Sequence, residues 1–189
     1  MEISFYDKKT QDLINTCEQL SIIGDDKALS YLNKLIKIAN KNKDNSLLGF
    51  SYFYCANYHY DKGKYEKFHN DLKQAIYYLL RSENYEMLAR SYNFFAIDAQ
   101  SIDSLDVAYS YYASALKFTD ADTSPGVAGI IISNIANFYY FIGDFKTARK
   151  FIRKGRSLLT KNNKDAFYEH NLLGNYINDG LNSIAMKDI

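Results

Sequence analysis

Three segments that align without gaps determine the predicted fold. They read YFYCANYHYDKGKYEKFHNDLKQAIYYL from Tyr52, YNFFAIDAQSIDSLDVAYSYYASALKFT from Tyr92 and ISNIANFYYFIGDFKTARKFIRKGRSLL from Ile132, so each begins 40 residues after the one before. A fixed period of this length is typical of repeat proteins, in which each repeat is one supersecondary unit. The sequence therefore predicts a stack of similar units.

Equivalent positions in the three segments carry equivalent chemistry. In the second half of the first segment, Tyr65, Phe68, Leu72 and Ala75 are spaced by three, four and three residues, which is one face of an α-helix. Small residues recur where two helices must approach closely, and a turn residue follows that permits the left-handed conformation. The small positions are Ala56, Ala96 and Ala136 in the first helices and Ala75, Ala115 and Gly155 in the second, and the turns are at Gly63, Asp103 and Gly143.

The pattern predicts an all-α fold, a solenoid of antiparallel helix pairs. Weaker copies flank the three segments, which gives about four helix pairs plus the start of a fifth in a single domain, residues 1–189. Ser124-Pro125 is a helix start signal, an N-cap followed by proline. The predicted helices are 5–22, 26–42, 46–62, 64–82, 85–102, 104–119, 125–142, 144–161 and 165–179.

The end of the sequence predicts a further turn at Gly180. Gly180 and Ala185 match Gly143 and Ala148 of the preceding repeat, so a second helix of the fifth pair is expected to begin there. A solenoid ordinarily ends in a complete capping helix. The sequence is therefore interpreted as an N-terminal fragment of a longer protein.

The segments IANFYYFIGDFKTARKFIRKG from Ile135 and CANYHYDKGKYEKFHNDLKQA from Cys55 resemble tetratricopeptide (TPR) repeats. The resemblance covers most of the chain and rests on the order small residue, turn, aromatic residue, small residue. Two features depart from the family: the period is 40 where about 34 is usual, and the proline that commonly ends each repeat is missing. Longer second helices explain both. The resemblance implies a right-handed superhelical solenoid that acts as a protein- or peptide-binding module.

A narrower resemblance concerns ALSYLNKLIKIANKNKDNSLLGFSYFYCANYHYDKGKYEKF from Ala28 and NYEMLARSYNFFAI from Asn84. These stretches look like the N-terminal TPR regions of Firmicutes signalling proteins, in which the array precedes a GGDEF (diguanylate cyclase) output domain. The resemblance implies a regulatory or sensory role in a bacterial protein, with any output domain outside this chain. Two alternatives stay open, a Rap-like quorum-sensing peptide receptor and a dimerisation scaffold that forms a homodimer.

Composition and motifs argue against catalysis and against several partners. The 23 basic and 22 acidic residues balance, and the basic cluster from Lys146 to Arg156 is interpreted as a solvated helix face, so no nucleic acid partner is expected. The apolar stretch from Gly126 to Gly143 contains polar residues and fits the repeat, so no membrane association is expected. No phosphate-binding, metal-binding or nucleophile motif occurs, so we expect no enzyme activity, cofactor or metal. With two cysteines and no signal peptide, the predicted location is cytoplasmic.

The candidate ligand site is the concave groove that first helices line in TPR arrays. Asparagine amides suit a peptide backbone because each has two donors and an acceptor, and tyrosines supply rigid contact area with a polar tip. The predicted groove residues are Asn57, Tyr60, Arg90, Asn93, Ile97, Gln100, Asn134, Asn137 and Tyr140, with Asn175 further along.

A structural role competes with ligand binding at these positions. An asparagine that follows the small residue, such as Asn57 or Asn137, could instead satisfy groups of a neighbouring helix. Only Arg90 could bind a carboxylate, so a chaperone-tail clamp, which needs several Lys and Arg, is not expected.

Overall fold

The computed structural model describes residues 6–119, 123–162 and 166–187. Within these ranges the chain forms nine α-helices and one 3-10 turn, with no strand. The all-α prediction is therefore confirmed. The helices are α1 Lys8–Ile22, α2 Ala28–Asn42, α3 Asn45–Asp61, α4 Tyr65–Leu79, α5 Tyr85–Ser101, α6 Leu105–Lys117, α7 Pro125–Phe141, α8 Phe145–Leu159 and α9 Ala166–Ala185, and the 3-10 turn is Thr160–Asn162.

The predicted helices agree with the first eight of these to within three residues at each end. Pro125 occupies the first turn of α7 and Ser124 its N-cap, as expected. The prediction for the last helix was wrong, because α9 does not end at residue 179 but continues through Gly180 to Ala185. Gly180 does not have the positive φ of a turn glycine, and the Asn182 side chain donates to the Phe145 carbonyl over 3.1 Å, which holds this part of α9 on the start of α8.

The chain comprises two compact units, Met1–Ser91 and Tyr92–Ile189, whose boundary falls within α5. In the first unit, α1 packs on α2 and on α3, and α3 packs on α4. The core of this unit consists of large side chains from these helices that are fully buried. They are Leu32, Leu35, Tyr54, Phe68, Leu72 and Leu79.

In the second unit, α7 packs along α8, and α9 packs on both. Its buried apolar side chains come largely from α7 and α8, among them Ile131, Ile152 and Leu159. Stacked rings join α5 to α6 in the same unit, where Tyr92 lies 5.8 Å from Phe118 and Phe95 lies 5.0 Å from Tyr111.

Small residues allow the paired helices to approach, as the repeat predicted. Ala56, Ala96 and Ala136 are buried, and a Cβ atom on Gly155, another predicted small position, would lie 2.5 Å from Oγ of Ser133. Approaches of similar closeness lie at two glycines that the repeat pattern did not single out. A Cβ atom on Gly49 would lie 2.4 Å from Cγ of Leu79, and one on Gly129 would lie 2.8 Å from Cγ of Leu159. Real Cβ atoms do not come this near another carbon, so both positions require glycine.

The turns between paired helices use the left-handed conformation that the sequence predicted. Gly63 has φ of 65°, Gly143 has 82°, and the non-glycine Asp103 has 57° at the equivalent position. Lys43, which ends α2, has φ of 54°, and nothing in the repeat pattern indicated it. Left-handed backbone costs an L-residue with a Cβ atom about 1–2 kcal/mol relative to glycine, so Lys43 and Asp103 are strained positions.

A reciprocal pair of substitutions tests this strain. We expect Gly143→Ala to lower the free energy of unfolding by about 1 kcal/mol, because a Cβ atom is introduced at positive φ. We expect Lys43→Gly to raise it by roughly 0.5 kcal/mol, because relief of strain exceeds the added entropy of the unfolded chain. Urea denaturation measures both, and a stability loss in Lys43→Gly would contradict the assignment.

Candidate functional site

A groove of about 420 Å³ lies in the second unit between α5 and α7. We call it the α5–α7 groove. Four of its residues belong to the predicted ligand site, Ile97 and Gln100 on α5 and Asn134 and Asn137 on α7. The complete lining is Ile97, Gln100, Ser101, Asp103, Tyr112, Asn134, Asn137 and Phe141.

Helical spacing brings these side chains together. On α7, Asn134, Asn137 and Phe141 are separated by three and four residues and so share one face. On α5, Gln100 and Ser101 follow Ile97 by three and four residues, so these three side chains also share one face. The groove therefore joins a largely apolar wall to a set of amide side chains.

The groove amides have hydrogen-bonding capacity that the chain itself does not use. Gln100 accepts a 3.0 Å hydrogen bond from the Tyr112 hydroxyl at Oε1, which leaves its amide hydrogens available. Asn134 donates to Oδ1 of Asn93 over 3.2 Å, which leaves its own Oδ1 available. Asn137 is exposed, and within the described ranges no hydrogen bond engages its side chain. Donors and acceptors are both present, which suits a peptide backbone.

Two predicted groove asparagines are buried and hold helices together. Asn93 is only 8% exposed and accepts from Asn134, so it positions that residue and does not face solvent. Asn175 on α9 is 1% exposed, and its amide donates to the Ser133 hydroxyl over 3.0 Å and to the Ile152 carbonyl over 3.1 Å. The prediction that these two side chains lie on an exposed face was wrong, because neighbouring helices use their amides.

Three predicted residues belong to the first unit and are not among those that line the groove. Asn57 is half-buried on α3, and Tyr60 packs its ring 5.1 Å from that of Phe68. Arg90 donates to the Tyr54 hydroxyl over 3.2 Å, and Tyr54 donates in turn to the Glu18 carboxylate. Arg90 therefore completes a polar chain from α1 through α3 to α5 within this unit.

The remaining predicted residue, Tyr140, belongs to the second unit but does not line the groove. Its ring lies 5.5 Å from that of Phe145, across the α7–α8 turn. Like Tyr60 at the equivalent repeat position, it packs against the residue that begins the following helix.

Four lining residues were not predicted: Ser101, Asp103, Tyr112 and Phe141. The prediction took its residues from first helices alone, whereas Asp103 lies in the turn after α5 and Tyr112 lies on the second helix, α6. Asp103 was already recognised in the sequence as a turn residue. It follows Gln100 by three residues, at the end of the same helix, and this closeness is the signal that could have added Asp103 to the predicted site. Its carboxyl group makes the groove unfavourable for an anionic ligand.

The basic cluster on α8 forms an exposed face. Lys146, Lys150 and Arg153 are exposed to solvent, as the sequence indicated. Arg149 and Arg156 instead contact α9, where Arg149 donates to Ser183 over 3.0 Å and Arg156 donates to Asp179 over 2.7 Å.

A second polar cluster lies in the first unit around His59. Nδ1 of His59 lies 2.6 Å from Oδ2 of Asp71, and both side chains are largely buried. Burial raises the pKa of Asp71, and the contact with His59 opposes that rise without cancelling it. Among the residues described here, no group of three or more His, Cys, Asp or Glu side chains is arranged to hold a metal ion. The pair is therefore a packed interhelical contact.

Both cysteines are buried free thiols. Burial raises the pKa of Cys17 to about 11 and raises that of Cys55 further. Since the thiolate is the reactive form, neither side chain is suited to nucleophilic chemistry.

We therefore expect both thiols to react slowly in the folded chain. At pH 8 a pKa near 11 lowers the thiolate fraction at least about 100-fold relative to an ordinary cysteine, and burial slows access further. Labelling with Ellman's reagent measures the rate in native protein and in urea. Comparable rates in the two conditions would contradict the buried assignment.

Stability measurements separate structural from solvent-facing asparagines. We expect Asn93→Ala to lower the free energy of unfolding by about 1–2 kcal/mol, because it removes the acceptor that Asn134 uses in a buried site. We expect Asn137→Ala to change it by less than about 0.5 kcal/mol, because that side chain is exposed. Equal losses in urea denaturation would show that Asn137 also supports the fold.

None of the helices in the described residues has the length and apolar character needed to cross a membrane. Neither a protein-family model nor a curated protein sequence matches the chain. Among solved structures, the chain is similar to BtubC (BKLC) from P. vanneervenii, with a TM-score of 0.67 and 16% identity over 96% of this chain and 86% of BtubC. At this identity the similarity supports the all-helical fold alone.

Proposed function

We propose that residues 1–189 form a TPR-like right-handed superhelical solenoid that binds a peptide or an extended protein segment. The 40-residue repeat and the left-handed turns at equivalent positions support a repeated helix-pair architecture. In such arrays, function resides in the surface that the helices present and not in the fold itself.

The observation that carries this proposal is the α5–α7 groove. Its volume of about 420 Å³ lies within the range of small-ligand sites and accommodates a few side chains of a peptide. Ile97 and Phe141 offer apolar contact, while Gln100, Asn134 and Asn137 offer donors and acceptors for a backbone. This combination suits a segment that contributes both an apolar side chain and peptide groups.

The charge of the groove favours a neutral or basic segment. Among the described residues that line the groove, Asp103 is the only one with a carboxyl group, and none is a lysine or an arginine. Arg90, the one cation considered for a carboxylate ligand, is held by Tyr54 in the first unit. An acidic tail would therefore meet like charge without a compensating cation.

The role of such a module is regulatory, in a cytoplasmic bacterial signalling protein of the kind in which a TPR array controls a separate output domain. This part of the proposal rests on the sequence resemblance. It assigns no catalytic residue, cofactor or metal to residues 1–189.

Peptide selection tests the groove directly. A phage-displayed library of random 12-residue peptides is selected on the 189-residue chain, and the enriched peptides are titrated by isothermal calorimetry. We expect peptides without net negative charge to bind, and Ile97→Glu to weaken binding at least about tenfold, because it places a carboxylate on the apolar wall.

Asn57→Ala is the matched control for Asn137→Ala, because the two asparagines occupy equivalent repeat positions in different units. Asn137→Ala should weaken binding, whereas Asn57→Ala should leave it unchanged. Enriched peptides that bind Ile97→Glu and Asn137→Ala as tightly as the unaltered chain would overturn the groove as the ligand site.

A further inference from the structure

The last helix, α9, presents an apolar face to solvent. Leu173 is 58% exposed, Ile177 55% and Ile184 62%, and Leu181 lies on the same face. The opposite face, which packs on α7 and α8, contains the buried amides Asn175 and Asn182. Among the α9 side chains that the structure describes, the buried ones are therefore polar and the most exposed ones form a contiguous apolar stripe, which inverts the usual distribution. We call this stripe the α9 face.

At the centre of the α9 face, leucines and glycines are placed symmetrically about Ile177, whereas further out His170 stands at the position that corresponds to Ile184. Residues 173–181 read LGNYINDGL, so leucines stand four residues before and after Ile177 and glycines stand three residues before and after it. At 100° per residue, the leucines lie about 40° to either side of Ile177 and the glycines about 60° to either side. Each side of Ile177 therefore carries one leucine and one glycine, at opposite ends of this stretch.

The two glycines leave notches beside the leucines. A Cβ atom on Gly174 or on Gly180 would meet nothing within 4 Å, so packing within this chain does not require glycine at either position. Glycine inside a helix costs about 1 kcal/mol relative to alanine, and close approach of another backbone is a standard reason to accept that cost.

We propose that the α9 face is the contact between two copies of this chain, packed as antiparallel helices about a two-fold axis at Ile177. In this arrangement Leu173 of one copy faces Gly180 of the other, Leu181 faces Gly174, and the two Ile177 side chains meet on the axis. Such a contact is isologous, and the placement of a leucine opposite each glycine supplies the self-complementarity that it requires.

Area and charge are consistent with a dimer. The half-exposed side chains of the α9 face, together with Tyr176, present on the order of 500 Å² per copy, so two copies bury on the order of 1,000 Å², which reaches the range of specific interfaces. Asp179, the one charged side chain in residues 173–181, is paired with Arg156 of the same copy, so no unpaired charge is buried at the centre.

Sedimentation equilibrium of the 189-residue chain tests the association. We expect a monomer–dimer equilibrium, and we expect Ile177→Glu to raise the dimer Kd more than about tenfold, because it places two carboxylates together on the axis. Ile102→Glu is the matched control, since Ile102 is 69% exposed and lies outside α9. A chain that stays monomeric at ~200 μM, well above the ~1 μM Kd of a modest complex, overturns the proposal and leaves the face to a different partner.

Disulfide trapping tests the antiparallel geometry. Ile177→Cys should cross-link to itself on oxidation with copper phenanthroline, and an equimolar mixture of Leu173→Cys and Gly180→Cys should form the mixed dimer in preference to either self-pair. The requirement for Cα atoms within about 7 Å makes this selective. Self-pairing of Leu173→Cys would indicate parallel helices and would overturn the proposed axis.

The dimer and the peptide groove are tested independently. Ile177→Glu should retain binding of the selected peptides, and Ile97→Glu should retain the monomer–dimer equilibrium. Loss of dimerisation in Ile97→Glu with a circular dichroism spectrum equal to that of the unaltered chain would place the contact elsewhere and overturn the α9 assignment.

Discussion

The close approach of paired helices is the constraint on which each unit depends. Gly49 admits Leu79, and Gly129 admits Leu159, at distances that a Cβ atom would prevent. Once α7 lies this close to α8, the α7 residues on the far side are directed away from that contact. Asn134, Asn137 and Phe141 are therefore left to line the groove with α5. The groove is in this sense a consequence of how tightly the pair packs.

Amide side chains also fix the positions of helices relative to one another within the second unit. Asn134 bonds to Asn93, and Asn175 bonds to Ser133, so successive first helices are joined by directional contacts. Apolar packing tolerates small rotations and shifts, whereas a buried amide is satisfied in one register only. These bonds therefore fix the relative positions of the helices that line the groove, even though they contribute little apolar burial.

The fold was largely predictable from the sequence, and the groove only in part. Left-handed turns at Gly63, Asp103 and Gly143 were predictable because few residues accept that backbone. Asparagine is ambiguous, because the same amide is exposed to solvent at Asn137 and serves a neighbouring helix at Asn93. Which role applies depends on the distance to the next helix, which a single sequence does not contain. The continuation of α9 past Gly180 was missed for the same reason, since the Asn182 bond to Phe145 lies between helices.

The inverted polarity of α9 has a thermodynamic consequence. Among the α9 side chains that the structure describes, the buried ones are the amides of Asn175 and Asn182, and Arg156 of α8 adds a bond to Asp179. Exposure of apolar surface is what gives unfolding its large positive heat capacity change, and exposure of polar surface lowers it. These polar contacts therefore add no positive heat capacity change when α9 detaches, and their strength varies less with temperature than that of apolar contacts. Cooling, which weakens the apolar contact between α7 and α8, leaves these polar contacts of α9 nearly unaltered.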